Sequence, residues 1–418
     1  MTSERFLIEG GHRLQGTVRV SGNKNAAVHT LAATLLTSDD CCLENVPDIG
    51  DVRFMLDIMQ ALGTKVERVS PGVVRLNSSD LHSFVAPSEL AANLRGSFLV
   101  MGPLLARFGE AGCCPPGGDI IGLRPLDVHL SGFAMLGADV RREGDKFVAR
   151  APRLRGSRVF MDYPSVLGTQ NLMMAATLAE GITVIVNAAA EPEVASLAEM
   201  LNAMGARICG AGGHTIQIEG VQGLHGTSHR VIPDRIEAGT FAIAAAITEG
   251  EVKIEEGLAS HLDALIWKLR ESGVEVEETE AGLRVRCRGA LRAVNAQAVP
   301  YPGLPTDLQA HMSVLLTQAQ GVSFIYERVF DNRLLYVGEL RKMGAEVVTS
   351  GTTAIVSGPT PLIGTSVRAL DIRAGAALVL AGLAAQGWTE ISDIYHLDRG
   401  YEALDQKLRS LGAVIQRV

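Results

Sequence analysis

The sequence predicts an α/β protein assembled from six copies of one unit of about 70 residues. Three observations carry this prediction. A helix-like stretch ends in glycine, with Val or Ile three residues later, at Gly63–Val66, Gly137–Val140, Gly205–Ile208, Gly273–Val276, Gly344–Val347 and Gly412–Ile415. These glycines recur every 68 to 74 residues, so six units account for all 418. An internal period of this kind constrains the whole fold. Helical apolar spacing also alternates with short Val/Ile-rich runs, the pattern of mixed helix and strand.

Before Gly63, the residues Val52, Met55, Leu56, Met59 and Leu62 fall on one helical face. Gly63 suits the left-handed position just past a helix, which glycine adopts without steric cost. Residues 65–69 then read as a strand, and 73–76 as a further one. The last unit repeats this, with Tyr401, Leu404, Leu408 and Leu411 on a helix, then Gly412, then a strand at Val414 and Ile415. Each unit has a second half in which a helix of small apolar residues runs through glycine into a strand. The spans are 173–180 before Gly181, 241–249 before Gly250 and 378–386 before Gly387. Six units exceed one core and group as three plus three. The polar, glycine-bearing stretch 225–230 is the expected boundary.

The chain is 47% hydrophobic and 20% charged, the balance of a core-rich globular protein. A net charge of −8 argues against general nucleic-acid binding. It leaves room for anionic small ligands, because a local arginine cluster acts within about 8 to 10 Å. No basic and then apolar leader opens the chain, and no run of apolar residues is long enough to span a bilayer. A cytoplasmic protein is therefore expected. The cysteines 41–42, 113–114, 209 and 287 match neither a zinc knuckle nor a CxxC motif and read as inert thiols in a reducing compartment.

Several segments break the repeat, and they carry charge beside Gly or Pro. They are 21–27 (SGNKNAA), 116–125 (PGGDIIGLRP), 233–240 (PDRIEAGT), 305–309 (PTDLQ), 331–333 (DNR), 371–375 (DIRAG) and 396–401 (HLDRGY). Arginine offers a planar fork for carboxylate and phosphate groups. Lys24 sits at the expected start of a helix, a common anion site. The glycines at 117–118 allow close backbone approach to a ligand. Neither glycine-bearing segment matches a Walker A loop or a dinucleotide fingerprint.

Taken in order, these segments resemble the UDP-N-acetylglucosamine 1-carboxyvinyltransferases, or enolpyruvyl transferases. The resemblance spans essentially the whole chain, through 21–27, Arg95 in NLRGS, 116–129, 177–193, 233–240, 305–309, 330–333, 371–374 and 395–401. It implies a two-domain inside-out α/β barrel with three βαβαββ-type units per domain. Residues 22–230 would form one domain, residues 1–21 with 231–418 the other, and the active site would lie in the interdomain cleft. It also implies transfer of enolpyruvyl from phosphoenolpyruvate to the 3′-hydroxyl of UDP-N-acetylglucosamine with release of phosphate. That reaction begins the route to the peptidoglycan precursor. Neither a metal nor a cofactor is implied, and the expected partners are these two small molecules, with no nucleic acid and no membrane.

By the same resemblance, Lys24, Arg124 and Arg399 hold the two anionic groups of phosphoenolpyruvate, helped by Arg95 and Arg373. Asn25 and Asp307 contact the sugar, and Asp307 acts as the base for its hydroxyl. Arg124, Pro125, Leu126 and Asp127, with Ser165, Val166 and Val329, line the uridine-diphosphate site. Arg333 belongs to the substrate-binding set, and Asp371 is a supporting or closure group. The loop 116–124 is expected to close over the ligands, so the sugar nucleotide should protect it from proteolysis.

The chief departure is Asp119, where many family members carry cysteine. A buried carboxylic acid can also donate a proton. It is a much poorer nucleophile than a thiolate toward the epoxide fosfomycin, so an active, fosfomycin-insensitive enzyme is expected. Ala190, Tyr163 and Leu167 also depart from the family pattern, and the last two bear on the nucleotide pocket. A paralogue acting on another uridine nucleotide is one alternative, and a non-catalytic nucleotide-binding regulator is another. A 3-phosphoshikimate acceptor is disfavoured by SGNKN at 21–25 and NLRGS at 93–97.

Overall fold

The structure, a computed structural model, describes residues 4–119, 121–122 and 125–418. They divide into two compact units. The N-terminal unit holds residues 22–119 and 125–232, and the C-terminal unit holds 4–21, 121–122 and 233–418.

Six sheets are present among the described residues, five with four strands and one with three. One arrangement recurs. In the first repeat, Ser228–Arg230 runs parallel to Asp40–Glu44, which pairs antiparallel with Val73–Asn77, the hairpin partner of Lys65–Ser70. The three-stranded sheet joins Glu110–Cys113, Lys146–Arg150 and Asp139–Glu143. An isolated parallel bridge, Val85 to Gly112, stands where its fourth strand would run. The first residues complete sheets of the C-terminal unit. Phe6–Glu9 pairs with Trp388–Ser392 and Val414–Arg417, and Gln15–Arg19 pairs with Glu251–Glu255.

The boundary expected at 225–230 falls just beyond that stretch, after Ile232. Within the stretch, Ser228–Arg230 is a strand with a full parallel register on Asp40–Glu44. Tyr401 falls outside the last helix, which is Leu404–Ser410 and begins after Ala403 in a left-handed conformation (φ 50°). The glycine-terminated pattern itself is realised at all six places. Gly63, Gly137, Gly205, Gly273, Gly344 and Gly412 have φ between 88° and 114°, the region a C′ glycine adopts.

Each unit is built on helices buried nearly all round. Every residue of Arg235–Ile247 and Gln309–Leu316 is buried, and so is all of Ile372–Ala384 except its last. Lys24–Ala33, Met101–Phe108 and Val166–Ala176 play the same part in the N-terminal unit. A helix apolar all round belongs inside a core. Runs such as AIAAAI at 242–247 keep its girth small enough for close packing. Among the described residues no helix is long and apolar enough to cross a membrane.

The C′ glycines differ in the room around them. A Cβ on Gly63 would lie 2.5 Å from Asp80 O, whereas a Cβ on Gly137 meets nothing within 4 Å. Gly137→Ala should cost about 1 kcal/mol, the left-handed strain alone. Gly63→Ala should cost about 2–4 kcal/mol, because backbone must also shift. Denaturant midpoints of the two variants check this, and equal shifts would contradict it.

Candidate active site

In the N-terminal unit the site residues sit at the N-terminal ends of the buried helices. Asn23 caps Lys24–Ala33, its side chain accepting from Ala26 N at 2.8 Å and donating to Glu193 Oε1 at 3.0 Å. Lys24 is the first helical residue, and Asn25, half-buried, is the second. The Lys24 ammonium donates to Asp51 Oδ2 at 2.9 Å, and Asp51 is almost wholly buried on the first turn of Gly50–Leu62. A cation is thus parked at a helix end that itself favours anions.

Arg95 opens the short helical turn that leads into Met101–Phe108, and its Nη2 donates to Pro125 O at 3.4 Å. The loop bearing Asp119 packs against the same region. A Cβ on Gly117 would lie 1.6 Å from Ala92 O, and Gly118, at φ 105°, lies against Arg95. Only glycines allow that approach. It brings the half-buried Asp119 beside the Arg95 segment. Arg124 lies outside the described residues. Leu126 precedes the helix Asp127–Met135, and Asp127 Oδ1 accepts from the Tyr163 hydroxyl at 3.0 Å. Burial and then the Asp127 carboxylate push Tyr163 up to about 12. Ser165 caps Val166–Ala176 by accepting from Gly168 N at 3.1 Å. Leu167 packs against the apolar core of its unit, which gives this departure a packing reason.

In the C-terminal unit Asp307 is the centre. It lies in the turn Thr306–Leu308, just before the buried helix Gln309–Leu316. Arg333 Nη2 donates to Oδ1 at 3.0 Å and Arg373 Nε to Oδ2 at 2.9 Å. Both arginines are nearly inaccessible, while Asp307 keeps 23% of its side-chain exposure. Burial opposes the Arg373 charge, and the Asp307 and Asp234 carboxylates with the Tyr401 hydroxyl outweigh it. Asp371 is a helix cap, accepting from Arg373 N at 2.7 Å and Ala374 N at 2.9 Å, so it orients Arg373 from below. Arg399 ends the single turn Tyr395–Asp398. Val329 is partly exposed, and its N–H donates to Glu327 Oε1 at 2.8 Å.

Four residues outside the sequence-derived set hold these groups. Asp51 pairs with Lys24 and Glu193 with Asn23. Glu327 binds Thr306 at 2.8 Å, next to Asp307, as well as the Val329–Phe330 backbone. Tyr401 lies under Arg373, with 5.4 Å from guanidinium to ring, and bonds Thr240 and His311. Glu193 and Tyr401 fall inside segments singled out from the sequence. Asp51 and Glu327 carry no local signal, since an acid in a first helical turn or at a strand end is ordinary.

The comparisons with known proteins agree with one another. The profile of the family described as EPSP synthase (3-phosphoshikimate 1-carboxyvinyltransferase) matches residues 8–408. UDP-N-acetylglucosamine 1-carboxyvinyltransferase 2 of Carboxydothermus hydrogenoformans is 51% identical over 417 residues, 99% of each chain. The chain belongs to the UDP-N-acetylglucosamine 1-carboxyvinyltransferase family. The family member numbered 1 in Caldanaerobacter subterraneus subsp. tengcongensis is 49% identical over 413 residues, again 99% of each chain. Among solved structures, the enolpyruvyl transferase NikO from Streptomyces tendae superposes with a TM-score of 0.90 at 27% identity, covering 100% of this chain and 99% of that one. EPSP synthase from Acinetobacter baumannii, with a TM-score of 0.74 and 19% identity over 100% of both chains, shares the fold.

Three buried histidines on helices of these sites set a pH dependence. Burial holds His29, His129 and His311 down to about 3, against 6.5 for a free side chain. Such groups contribute stability that is present above 6.5 and lost as pH falls below it. Glu237 works the other way. Burial pushes it up to about 7 against the pull of Lys407, so its contribution is present below 4.5 and lost as pH rises through 7. Burial also lowers His229 and raises Glu327, so four histidines stand against two carboxyls, and the melting temperature should be level above pH 7 and fall as pH drops from 6.5. A rise over that acid range would contradict the assignment.

Proposed function

We propose that this protein transfers the enolpyruvyl group of phosphoenolpyruvate to the 3′-hydroxyl of UDP-N-acetylglucosamine, with Asp119 in place of a cysteine as proton donor. The observation that carries the chemistry is Asp307, fixed by two buried arginines yet partly open. Family membership and identity near one half over the full chain support the substrates. The reaction is the first committed step toward the peptidoglycan precursor, and we assign it to the cytoplasm.

The residues divide the work by charge. Phosphoenolpyruvate brings a phosphate and a carboxylate. In this reading Lys24, Arg124 and Arg399 hold them, with Arg95 and Arg373 in support, through charge-assisted hydrogen bonds. Asp119 gives a proton to C3, and positive character develops at C2. The sugar hydroxyl attacks C2 while its proton passes to Asp307. Arg333 and Arg373 hold the Asp307 carboxylate in one orientation, so no reorganisation is needed at that moment. The tetrahedral adduct then loses a C3 proton and the phosphate, leaving the enol ether. Asn25 takes the sugar, and Pro125, Leu126, Asp127, Ser165, Val166 and Val329 take the uridine diphosphate.

Phosphate release from phosphoenolpyruvate, measured with and without UDP-N-acetylglucosamine and with product mass, tests the reading. Release that requires this acceptor, with the enolpyruvyl adduct formed, is expected. Binding of the nucleotide without release would favour a regulator, and release only with another uridine nucleotide would favour the paralogue.

Asp119 yields a second test. Fosfomycin at low concentration should leave the wild type active and unmodified, because a carboxylate opens the epoxide poorly. Asp119→Cys should retain turnover and acquire covalent, time-dependent inactivation. Asp119→Asn should lose about 10²–10⁴ in kcat, the usual range for a general acid. Rapid wild-type alkylation would overturn the assignment.

A further inference from the structure

The segment bearing Arg399 is a single helical turn, Tyr395–Asp398. One turn is not stable by itself in water, so its place depends on anchors. Leu397 is buried against Gly375 of the helix Ile372–Ala384, where a Cβ would lie 3.2 Å from Leu397 Cδ2. Beyond Arg399, the Tyr401 hydroxyl is 2.9 Å from Thr240 Oγ1 and 3.3 Å from His311 Nε2.

The third anchor is ionic and directly precedes Arg399. Arg417 grips both oxygens of Asp398, Nη1 to Oδ2 at 2.9 Å and Nη2 to Oδ1 at 2.6 Å. Arg417 belongs to the last strand, Val414–Arg417, and its guanidinium lies 5.1 Å from the Phe6 ring centre. It also meets Glu4 at 2.8 Å and Asp405 at 3.8 Å. Asp398 and then Glu4 push its pKa up further. Nothing in the reaction described above uses Arg417 or Asp398.

We propose that Arg417 is a positioning residue for phosphoenolpyruvate, setting through its two-point grip on Asp398 the direction from which Arg399 offers its guanidinium. The proposal rests on Arg399 being a ligand of phosphoenolpyruvate. Asp398 keeps 43% of its side-chain exposure, and a pair that exposed adds little to stability. Its consequence is directional. A fork on a carboxylate fixes rotation as well as distance, which a lysine's point charge does not.

The competing role for Arg417 is to staple the terminal strand, and its contact with Glu4 would serve that purpose equally. The variants Arg417→Ala, Arg417→Lys, Asp398→Asn and Glu4→Gln separate the two roles when KM for each substrate, kcat and melting temperature are measured. Arg417→Ala and Asp398→Asn should raise KM for phosphoenolpyruvate roughly tenfold. Their KM for UDP-N-acetylglucosamine should stay within about twofold of wild type, since no acceptor contact is disturbed. Arg417→Lys should remain impaired, having charge without the fork. Glu4→Gln should leave KM for phosphoenolpyruvate unchanged.

Equal effects of Glu4→Gln and Asp398→Asn, or losses that track melting temperature in every variant, would overturn the proposal. So would a wild-type KM for phosphoenolpyruvate in Asp398→Asn. Failure of the wild type to turn over phosphoenolpyruvate would instead overturn the functional reading beneath it.

Discussion

A helix buried on every side must satisfy its ends through its own caps, and this constraint orders the structure. The first N–H groups of such a helix cannot turn to water. Asn23, Ser165, Asp234 and Asp371 supply the missing acceptors at four of the buried helices. The same ends carry about half an elementary positive charge each. Lys24 and Arg373 stand at two of these ends, and Asp307 stands in the turn that leads into Gln309–Leu316, whose start has no side-chain cap. Fold and chemistry therefore depend on the same few residues. A protein that binds two anionic substrates gains from helix N-termini, and a side-chain cap leaves such an end both satisfied and positive.

Charge within each unit is organised by pairing. Lys24 rests on Asp51, and Asp307 rests on Arg333 and Arg373. These pairs are far less exposed than surface pairs such as Arg53–Asp48, which contribute little. A buried cation without a partner would cost several kcal/mol. The pairs thus make it possible to keep charged groups where a substrate needs them. They also hold side chains in one rotamer, so that binding does not have to order them first.

The repeat was legible because its signal is local and steric. Glycine at C′ and a β-branched residue three positions on leave the same trace in all six units, and the left-handed φ values at those glycines follow from it. The buried helices were less legible. Without a polar face they have no periodicity to mark their ends, so the helix expected over 173–180 is in fact Val166–Ala176. The boundary near 225–230 was legible to within two residues, but the short polar edge strand Ser228–Arg230 inside that stretch was not, because it lacks an apolar face. Lys24 was legible as a cation beside a helix start, and Asp307 and Arg373 as charges in segments that break the repeat beside Pro or Gly. Their partners were not: Asp51 stands 27 residues from Lys24, and Arg373 stands 66 from Asp307. Only folding brings such pairs together.

In the proposed reaction one carboxyl, Asp119, gives a proton to C3 of phosphoenolpyruvate and another, Asp307, receives one from the sugar. The most direct test is turnover in deuterium oxide with the vinyl group of the product analysed by mass. Wild-type protein should place solvent deuterium on C3, because a methyl group forms and is then unmade. Asp119→Asn should neither turn over at a comparable rate nor exchange those positions. Undiminished turnover and deuterium uptake in Asp119→Asn would contradict the assignment of the proton donor.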